Sequence, residues 1–315
     1  MKKMILFSFL VFMSLCSFPG CGKALDNSGF IPEFVYDGSG EDIGNEEPGE
    51  TVPDNVPVDQ VKVISFNVRV GTGDKNTKNA WDLRKKALGP LLTKENPTVF
   101  GVQEAIKEQM DYMKQVLPDY DAVGVGREDG VEKGEHMSIF WKRDVVTMEK
   151  SGTFWLSQTP DVPSKGWDAN YYRTATWAIF KVKATGERFF YMNTHLDHQA
   201  KLARENSILL ICDKLRELNP DAYPAILTAD FNSKTTDAIF DPLKLVMEDA
   251  RAVAPVTDNL GTFNGWGTSD SVIDHIFCSG FSILSYMTVR DVYLGVQYAS
   301  DHYPISAMLK FPQAD

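Results

Sequence analysis

Apolar and polar positions alternate with a period of two from Val61 to Val68. Val61, Val63, Ser65 and Asn67 share one face, and Lys62, Ile64, Phe66 and Val68 the other. This predicts a strand. Similar β-like runs are read at Thr98–Glu104, Tyr120–Val125, Met137–Trp141, Val145–Met148, Arg173–Val182, Arg188–Thr194, Ala225–Ala229, Val272–Phe277, Ile283–Val292 and Ile305–Leu309. Helical spacing predicts a helix beginning near Asn79 or Ala80, with Trp81, Leu88, Leu91 and Leu92, stopped by Pro97. A short helix follows through Met110, Met113 and Leu117. The longest spans Gln199–Leu218, with Leu202, Leu209, Cys212 and Leu215 on one stripe. Trp155–Tyr172 is an irregular insertion rich in Trp, Tyr, Pro and Gly. Strands and helices in mixed order, without an internal repeat, predict an α/β sandwich rather than a regular doubly wound sheet.

The first residues carry a different pattern. Lys2 and Lys3 precede an apolar run from Met4 to Leu15, the form of a secretory signal whose apolar core is too short for an ordinary membrane span. Phe18-Pro19-Gly20-Cys21 sets a small residue before a cysteine and resembles the cleavage box of bacterial lipoproteins. The expectation is residues 1–20 as signal peptide and a membrane anchor at lipidated Cys21. That makes an exported monomer of the cell envelope or outer membrane. Ala24–Gln60 has no Lys or Arg and is rich in Gly, Pro, Asp and Glu, so residues 21–60 are expected to form a disordered acidic tether. Residues 61–315 are the expected catalytic domain. Cys212 and Cys278 lie in apolar runs and read as buried thiols, with a disulfide between them left open.

Charge narrows the partners. The formal charge of −11 is uneven: residues 1–60 hold three lysines against ten acids, and the rest holds 29 basic and 33 acidic residues. No Lys/Arg run supplies the basic surface that extended nucleic-acid binding needs.

Candidate chemistry gathers where the β-like runs end. Asn67, Glu104, Asn193, His195, Asp197, Asp230, Asn232, Asp274, His275, Asp301 and His302 all lie at or near such ends. Carboxylate and Asn oxygens without a Cys/His cluster suit a hard cation such as Mg²⁺ or Mn²⁺ rather than structural zinc. No His-Glu-x-x-His, Gly-x-Ser-x-Gly, phosphate-binding Walker loop or dinucleotide fingerprint is present.

Ser65-Phe66-Asn67, Val102-Gln103-Glu104, Asn193-Thr194-His195, Ala229-Asp230-Phe231-Asn232, Ile273-Asp274-His275 and Ser300-Asp301-His302 together resemble the ordered motifs of the endonuclease/exonuclease/phosphatase superfamily. The resemblance spans about residues 61–311. It implies a four-layer α/β sandwich, two mixed sheets face to face with flanking helices, and Mg²⁺-dependent (or Mn²⁺-dependent) phosphoester hydrolysis at one rim. By that resemblance Glu104, Asn67 and Asp301 hold the metal. His302 is the general base or the electrostatic partner of the phosphate, and Asp274 orients it. Asp230 and Asn232 position water and a phosphate oxygen, and His195 donates to the phosphate or leaving oxygen. Arg173 and Asn193 contact substrate. Some relatives place an Asp two residues after the first motif's Asn; here that position is Arg69, so one carboxylate is missing.

The expected function is hydrolysis of a small phosphomonoester or phosphodiester, such as a sugar phosphate, a phospholipid headgroup or a nucleotide. An extracellular nuclease is the alternative that the acidic chain disfavours. An idle glycan-binding protein using the aromatic insertion is a third.

Overall fold

Two strands predicted by the alternation, β1 (Gln60–Asn67) and β2 (Val99–Gln103), lie side by side and parallel in the computed structural model, which describes residues 56–312. The expected signal segment, Cys21 and nearly all of the tether lie outside the described residues. Parallel neighbours require a crossover, here made by α1 (Trp81–Arg84) and α2 (Leu88–Glu95), joined by a 3₁₀ turn at Lys85–Ala87. One continuous helix was expected. Pro90 has no N–H to give the Lys86 carbonyl, so the ladder tightens there. Trp81, Leu88, Leu91 and Leu92 do pack as read, against Ile64, Phe66, Phe100 and Val102 on the outer face.

The chain continues through α3 (Lys107–Val116), β3 (Tyr120–Val123), β4 (Ile139–Lys142), β5 (Val146–Trp155), β6 (Thr174–Val182) and β7 (Arg188–His195). Then come α4 (Lys201–Leu218), β8 (Ala225–Asp230), α5 (Asp241–Lys244), β9 (Glu248–Asp249), α6 (Ala250–Val253), β10 (Asp274–Ser279), β11 (Ser282–Thr288) and β12 (Ile305–Lys310). Two six-stranded mixed sheets result, ordered β11-β12-β1-β2-β4-β3 and β5-β6-β7-β8-β10-β9. Their inner faces share one core in which Val61, Val63 and Val99 meet Tyr191, Ile226 and Ile276. The fold is therefore the expected α/β sandwich. No helix among the described residues is long and apolar enough to cross a membrane.

One expectation is corrected and one question left open is answered. In α4 the buried positions are Ala203, Ser207, Ile208, Ile211, Cys212 and Leu215, whereas Leu202 and Leu209 are each 49 % exposed. The isoleucines and the small Ala203 and Ser207 carry the stripe that faces the sheet, and the two leucines fall outside it. Cys212 packs on the outer face of the second sheet and Cys278 on its inner face, and both are free thiols, so they form no bridge. Gln60 opens β1, and the Asp59 carbonyl accepts from the Phe311 N–H at 3.0 Å.

Topology decides where the motifs meet. Each sheet has a central parallel pair, β1–β2 and β7–β8, flanked by antiparallel strands. The carboxyl ends of β1, β2, β7 and β8 therefore share one rim with the amino ends of β10 and β12. Register places Asp274 opposite Asp230, His195 opposite Asp230, and Asn67 opposite Gln103.

Candidate active site

Inner-face positions are separated by two residues along a strand. Stepping toward the rim therefore passes from the apolar core to a neutral polar layer and then to a charged one. Asn193, fully buried, forms the centre of the neutral layer: Nδ2 donates to the Val102 and Ser138 carbonyls (2.8 and 3.1 Å), and Oδ1 accepts from Gln103 Nε2 and the Thr228 hydroxyl (2.7 and 2.9 Å). Four protein partners use up its amide, so it clasps the two sheets and does not line the cavity. That corrects its expected substrate contact. A Cβ on Gly101 would fall 2.4 Å from Asn193 Oδ1, so the clasp requires glycine beneath it.

Two residues further along β8, Asp230 joins the charged layer. Its Oδ2 accepts from Asn67 Nδ2 (2.9 Å) and lies 3.4 Å from His195 Nε2 and 3.6 Å from His302 Nε2, while Oδ1 accepts from the Asn232 N–H (2.9 Å). Asn67 Nδ2 also donates to Glu104 Oε1 (3.0 Å), and Asn67 Oδ1 accepts from the Arg69 N–H (2.9 Å). Asn67 thus turns its nitrogen toward the acidic cluster and commits its oxygen to the backbone. It orients the carboxylates instead of offering the metal ligand expected of it. Asn232 donates to the Leu196 carbonyl and lies 3.0 Å from His195 Nε2.

The last motif arrives from the other sheet. His302 Nδ1 and Asp274 Oδ2 are 2.8 Å apart, and the Thr262 hydroxyl donates to the same oxygen at 2.6 Å. Ser300 Oγ donates to the Asn67 carbonyl (2.7 Å), tying this loop to the end of β1. Arg84, only 2 % exposed, reinforces that tie: it donates to the carbonyls of Val68, Ala299, Arg69 and Asn79 at 2.6, 3.0, 2.6 and 3.1 Å. Arg69, Glu104 and Asn232 all hold left-handed backbones, with φ of 53°, 63° and 50°. Such strain in non-glycine residues persists only where the surroundings enforce it, and it marks functional sites.

The electrostatics separate the two active-site histidines. Burial opposes charge on His302, but Asp274 and Asp230 outweigh it and raise its pKa to about 10. Burial, reinforced by Arg173 and Arg127, drives His195 well below the usual range. Burial raises Asp230 to about 7, with Asp274 adding to the rise and His302 opposing it. Glu104 ends below its ordinary value: burial pushes it up, but the Asn67 amide, the Val70 N–H, His302 and Arg69 more than compensate.

These groups line a cavity of about 450 Å³ with Arg69, Arg127, Glu135, Tyr171, Arg173, His198, Asn232, Phe263 and Asp301. Arg173 Nη1 and His195 Nδ1 are buried without a hydrogen-bond partner. Arg173 Nε lies 3.4 Å from Asp197, whose Oδ1 also accepts from the Gln199 and Ala200 N–H groups in the turn before α4. Of the insertion's aromatics, Tyr171 lines the cavity and Trp155 is buried, its indole N–H on the Arg127 carbonyl. His275 is fully buried and bonds the Ser233 carbonyl, in keeping with a structural role. Arg84, Arg127 and Thr262 were not singled out in the sequence. Arg84 sits inside a helical pattern, and Thr262 in a stretch with no periodicity to frame it.

The arrangement can bind a divalent cation and an anion together. Glu104, His195 and Asp230 bring ligand atoms within 4.8 Å of one another, as do Asp230, Asp274 and His302. The Arg69 guanidinium lies 3.6 Å from Asp301 and 4.0 Å from Glu104, so positive charge is already accommodated between those carboxylates.

The family described as Endonuclease/Exonuclease/phosphatase family matches residues 64–302. A protein described by that family name from Bacteroides thetaiotaomicron is similar in structure, with TM-score 0.77, 39 % identity and coverage of 81 % of this chain and 98 % of that one. A mannosyl-6-phosphatase from Bacteroides thetaiotaomicron VPI-5482 gives TM-score 0.75 and 39 % identity over 80 % of this chain and all of its own. An uncharacterised protein of Acanthamoeba polyphaga mimivirus is 27 % identical over 272 residues, which is 78 % of this chain and 98 % of the relative.

Proposed function

The chain belongs to the Endonuclease/Exonuclease/phosphatase family and is a metal-dependent phosphoric ester hydrolase, and from that premise we propose that it removes phosphate from a small phosphorylated substrate of the sugar-phosphate class. The observation that carries this reading is the bounded cavity of about 450 Å³ with Glu104, Asp230, Asp301, His195 and His302 on its wall. Its size suits a small ligand, within the roughly 300–1,000 Å³ typical of such sites. The mannosyl-6-phosphatase relative supports the substrate class. The nuclease reading lacks a basic surface, with 29 basic against 33 acidic residues beyond residue 60.

Glu104 and Asp301, with Asp230 nearby, would hold the ion, and their oxygen donors suit Mg²⁺. Bound there, the cation supplies charge neutralisation to a phosphate oxygen. The protein's own groups do the rest. Arg173 Nη1 and the His302 imidazolium donate to phosphate oxygens, while Asp274 holds the His302 ring and Asn67 holds Asp230. Asp230, raised to about 7, takes the proton of the attacking water while the Asn232 N–H holds its Oδ1; the bond from phosphorus to the leaving oxygen breaks, and that oxygen takes a proton from solvent. With Asp274 2.8 Å from Nδ1 and Asp230 3.6 Å from Nε2, the His302 ring is placed to carry charge and serves in this reading as the electrostatic partner of the phosphate.

Export belongs to the same reading. Lys2, Lys3 and the apolar Met4–Leu15 support a signal, and Gly20-Cys21 supports a lipid anchor in the cell envelope. The test is phosphate release from a panel of hexose phosphates, nucleotides and p-nitrophenyl phosphate. Turnover with Mg²⁺, lost in EDTA and restored by added Mg²⁺, is expected; no release from any monoester with Mg²⁺ or Mn²⁺ would sink the proposal.

A further inference from the structure

We propose that Glu135, Arg127 and Tyr171 form a subsite that reads adjacent hydroxyls of a sugar leaving group. The inference rests on the phosphohydrolase reading and assigns recognition to residues outside the charged cluster.

The loop carrying the first two is rigidly built. Gly126, Arg127 and Glu128 donate their N–H groups to the carbonyls of Val131, Glu135 and Lys133 at 3.1, 3.0 and 3.0 Å, and Asp129 accepts from Val131 and Lys133. A Cβ on Gly126 would fall 2.4 Å from the Lys133 backbone, so the loop closes only with glycine there. The His136 N–H donates to the Ala105 carbonyl at 2.7 Å, which anchors Glu135 beside the residue that follows Glu104.

Within that frame the Arg127 guanidinium forks onto both Glu135 oxygens, at 2.6 and 2.7 Å, and the Trp155 indole N–H donates to the Arg127 carbonyl at 2.7 Å. Arg127 is 7 % exposed. A carboxylate held this way keeps a free lone pair on each oxygen, so it accepts from two neighbouring hydroxyls while the guanidinium edge donates to a third oxygen. Tyr171 is 43 % exposed, with its ring centre 5.8 Å from the Arg127 guanidinium carbon and 5.9 Å from that of Arg173. It offers an apolar platform with a polar edge, the complement of a pyranose face.

Charge balance sets the ligand class. Glu135 neutralises Arg127 and Asp197 pairs with Arg173, so this wall has no surplus charge for a second phosphate. Hydroxyls, which both donate and accept, match the paired ions.

The test is the ratio of kcat/KM for hexose phosphates to that for p-nitrophenyl phosphate, an ester without sugar hydroxyls. Glu135→Gln should lower the ratio for the best hexose phosphate by about 10- to 100-fold, the range of one hydrogen bond to a charged group. Tyr171→Leu should lower it less and through KM. Because Tyr171 is exposed, that variant decides the matter if Glu135→Gln is inactive on every ester. A ratio unchanged within about twofold in the variants that turn over overturns the subsite. Wild-type hydrolysis of p-nitrophenyl phosphate without any hexose phosphate overturns the subsite and the sugar-phosphate class together and leaves phosphoester hydrolysis standing, and release from no monoester of the panel overturns the phosphohydrolase reading as well.

Discussion

The neutral layer around Asn193 and the charged layer around Asp230 lie two residues apart on the same strands, and they differ in one respect. In the neutral layer both atoms of the Asn193 amide are spoken for: Gln103 and Thr228 reach one and the Val102 and Ser138 carbonyls the other. Buried unpartnered atoms occur in both layers, at Gln103 Oε1 and Ser138 Oγ below, on residues away from the cavity, and at His195 Nδ1 and Arg173 Nη1 above, on residues that line it. A buried polar group without a partner destabilises the fold by about 1–3 kcal/mol. The comparison teaches that the lower layer is arranged for cohesion, while the upper layer retains groups whose partners arrive with the ligand.

The largest effect that would sharpen this contrast falls on the charged layer. Glu104→Gln and His302→Ala should each lower kcat/KM by roughly 10³-fold, in the range of lost acid–base and metal-assisted catalysis. For Glu104→Gln the urea midpoint should stay close to wild type, whereas His302→Ala also takes from Asp274 and Asp230 the imidazolium they hold. If Glu104→Gln instead unfolds as readily as a core mutant, the upper layer is cohesive too and the division collapses.

The reverse should hold below. Asn193→Leu strands the Val102 and Ser138 carbonyls and the Gln103 amide, at a cost of about 3 kcal/mol. Urea denaturation should show a lower midpoint at unchanged slope, with kcat close to wild type where the variant is folded. A stable variant with a lost kcat would mean that Asn193 reaches the chemistry after all.

This division was only half legible in the sequence. Alternation in β1 placed Ser65 and Asn67 on one face correctly, and the sandwich followed from the order of elements. Convergence of Asp230, Asp274 and His302 became legible through the ordered motifs, since strand ends meet only if sheet direction brings them to one rim. Asn193 was misread because its motif neighbour His195, two residues on and on the same face, does line the cavity. One strand residue nearer the rim or farther from it decides between substrate and clasp, and period-two patterning is blind to that distance. Asn67 was misread because which amide atom faces the cluster is set by the Arg69 N–H, a bond made in a left-handed turn. The loop Gly134-Glu135-His136 offered itself for substrate contacts without a role, and Arg127 escaped notice because a loop pair eight residues apart has no periodic signal.

The smallest effect concerns protons and again separates the layers. In metal-free protein the folded chain holds the His302 proton up to about pH 10, where the ordinary value is 6.5. It also holds the Asp230 proton up to about 7, against an ordinary 3.8. In both cases the folded state binds a proton that the unfolded chain has already released, so stability must fall as pH rises through these windows. The His302 contribution is complete below about 6.5 and gone above about 10. The slope from one such group is at most about 1.4 kcal/mol per pH unit. Urea midpoints measured in EDTA between pH 6 and 10 should therefore decline in the wild type. The Asn193→Leu curve should run lower but parallel, because the clasp contains no titrating group. His302→Asn should flatten the decline. If the His302→Asn curve stayed parallel to the wild type, the imidazolium would not be held by Asp274 and Asp230, and the charged layer would lose the feature that distinguishes it from the one beneath.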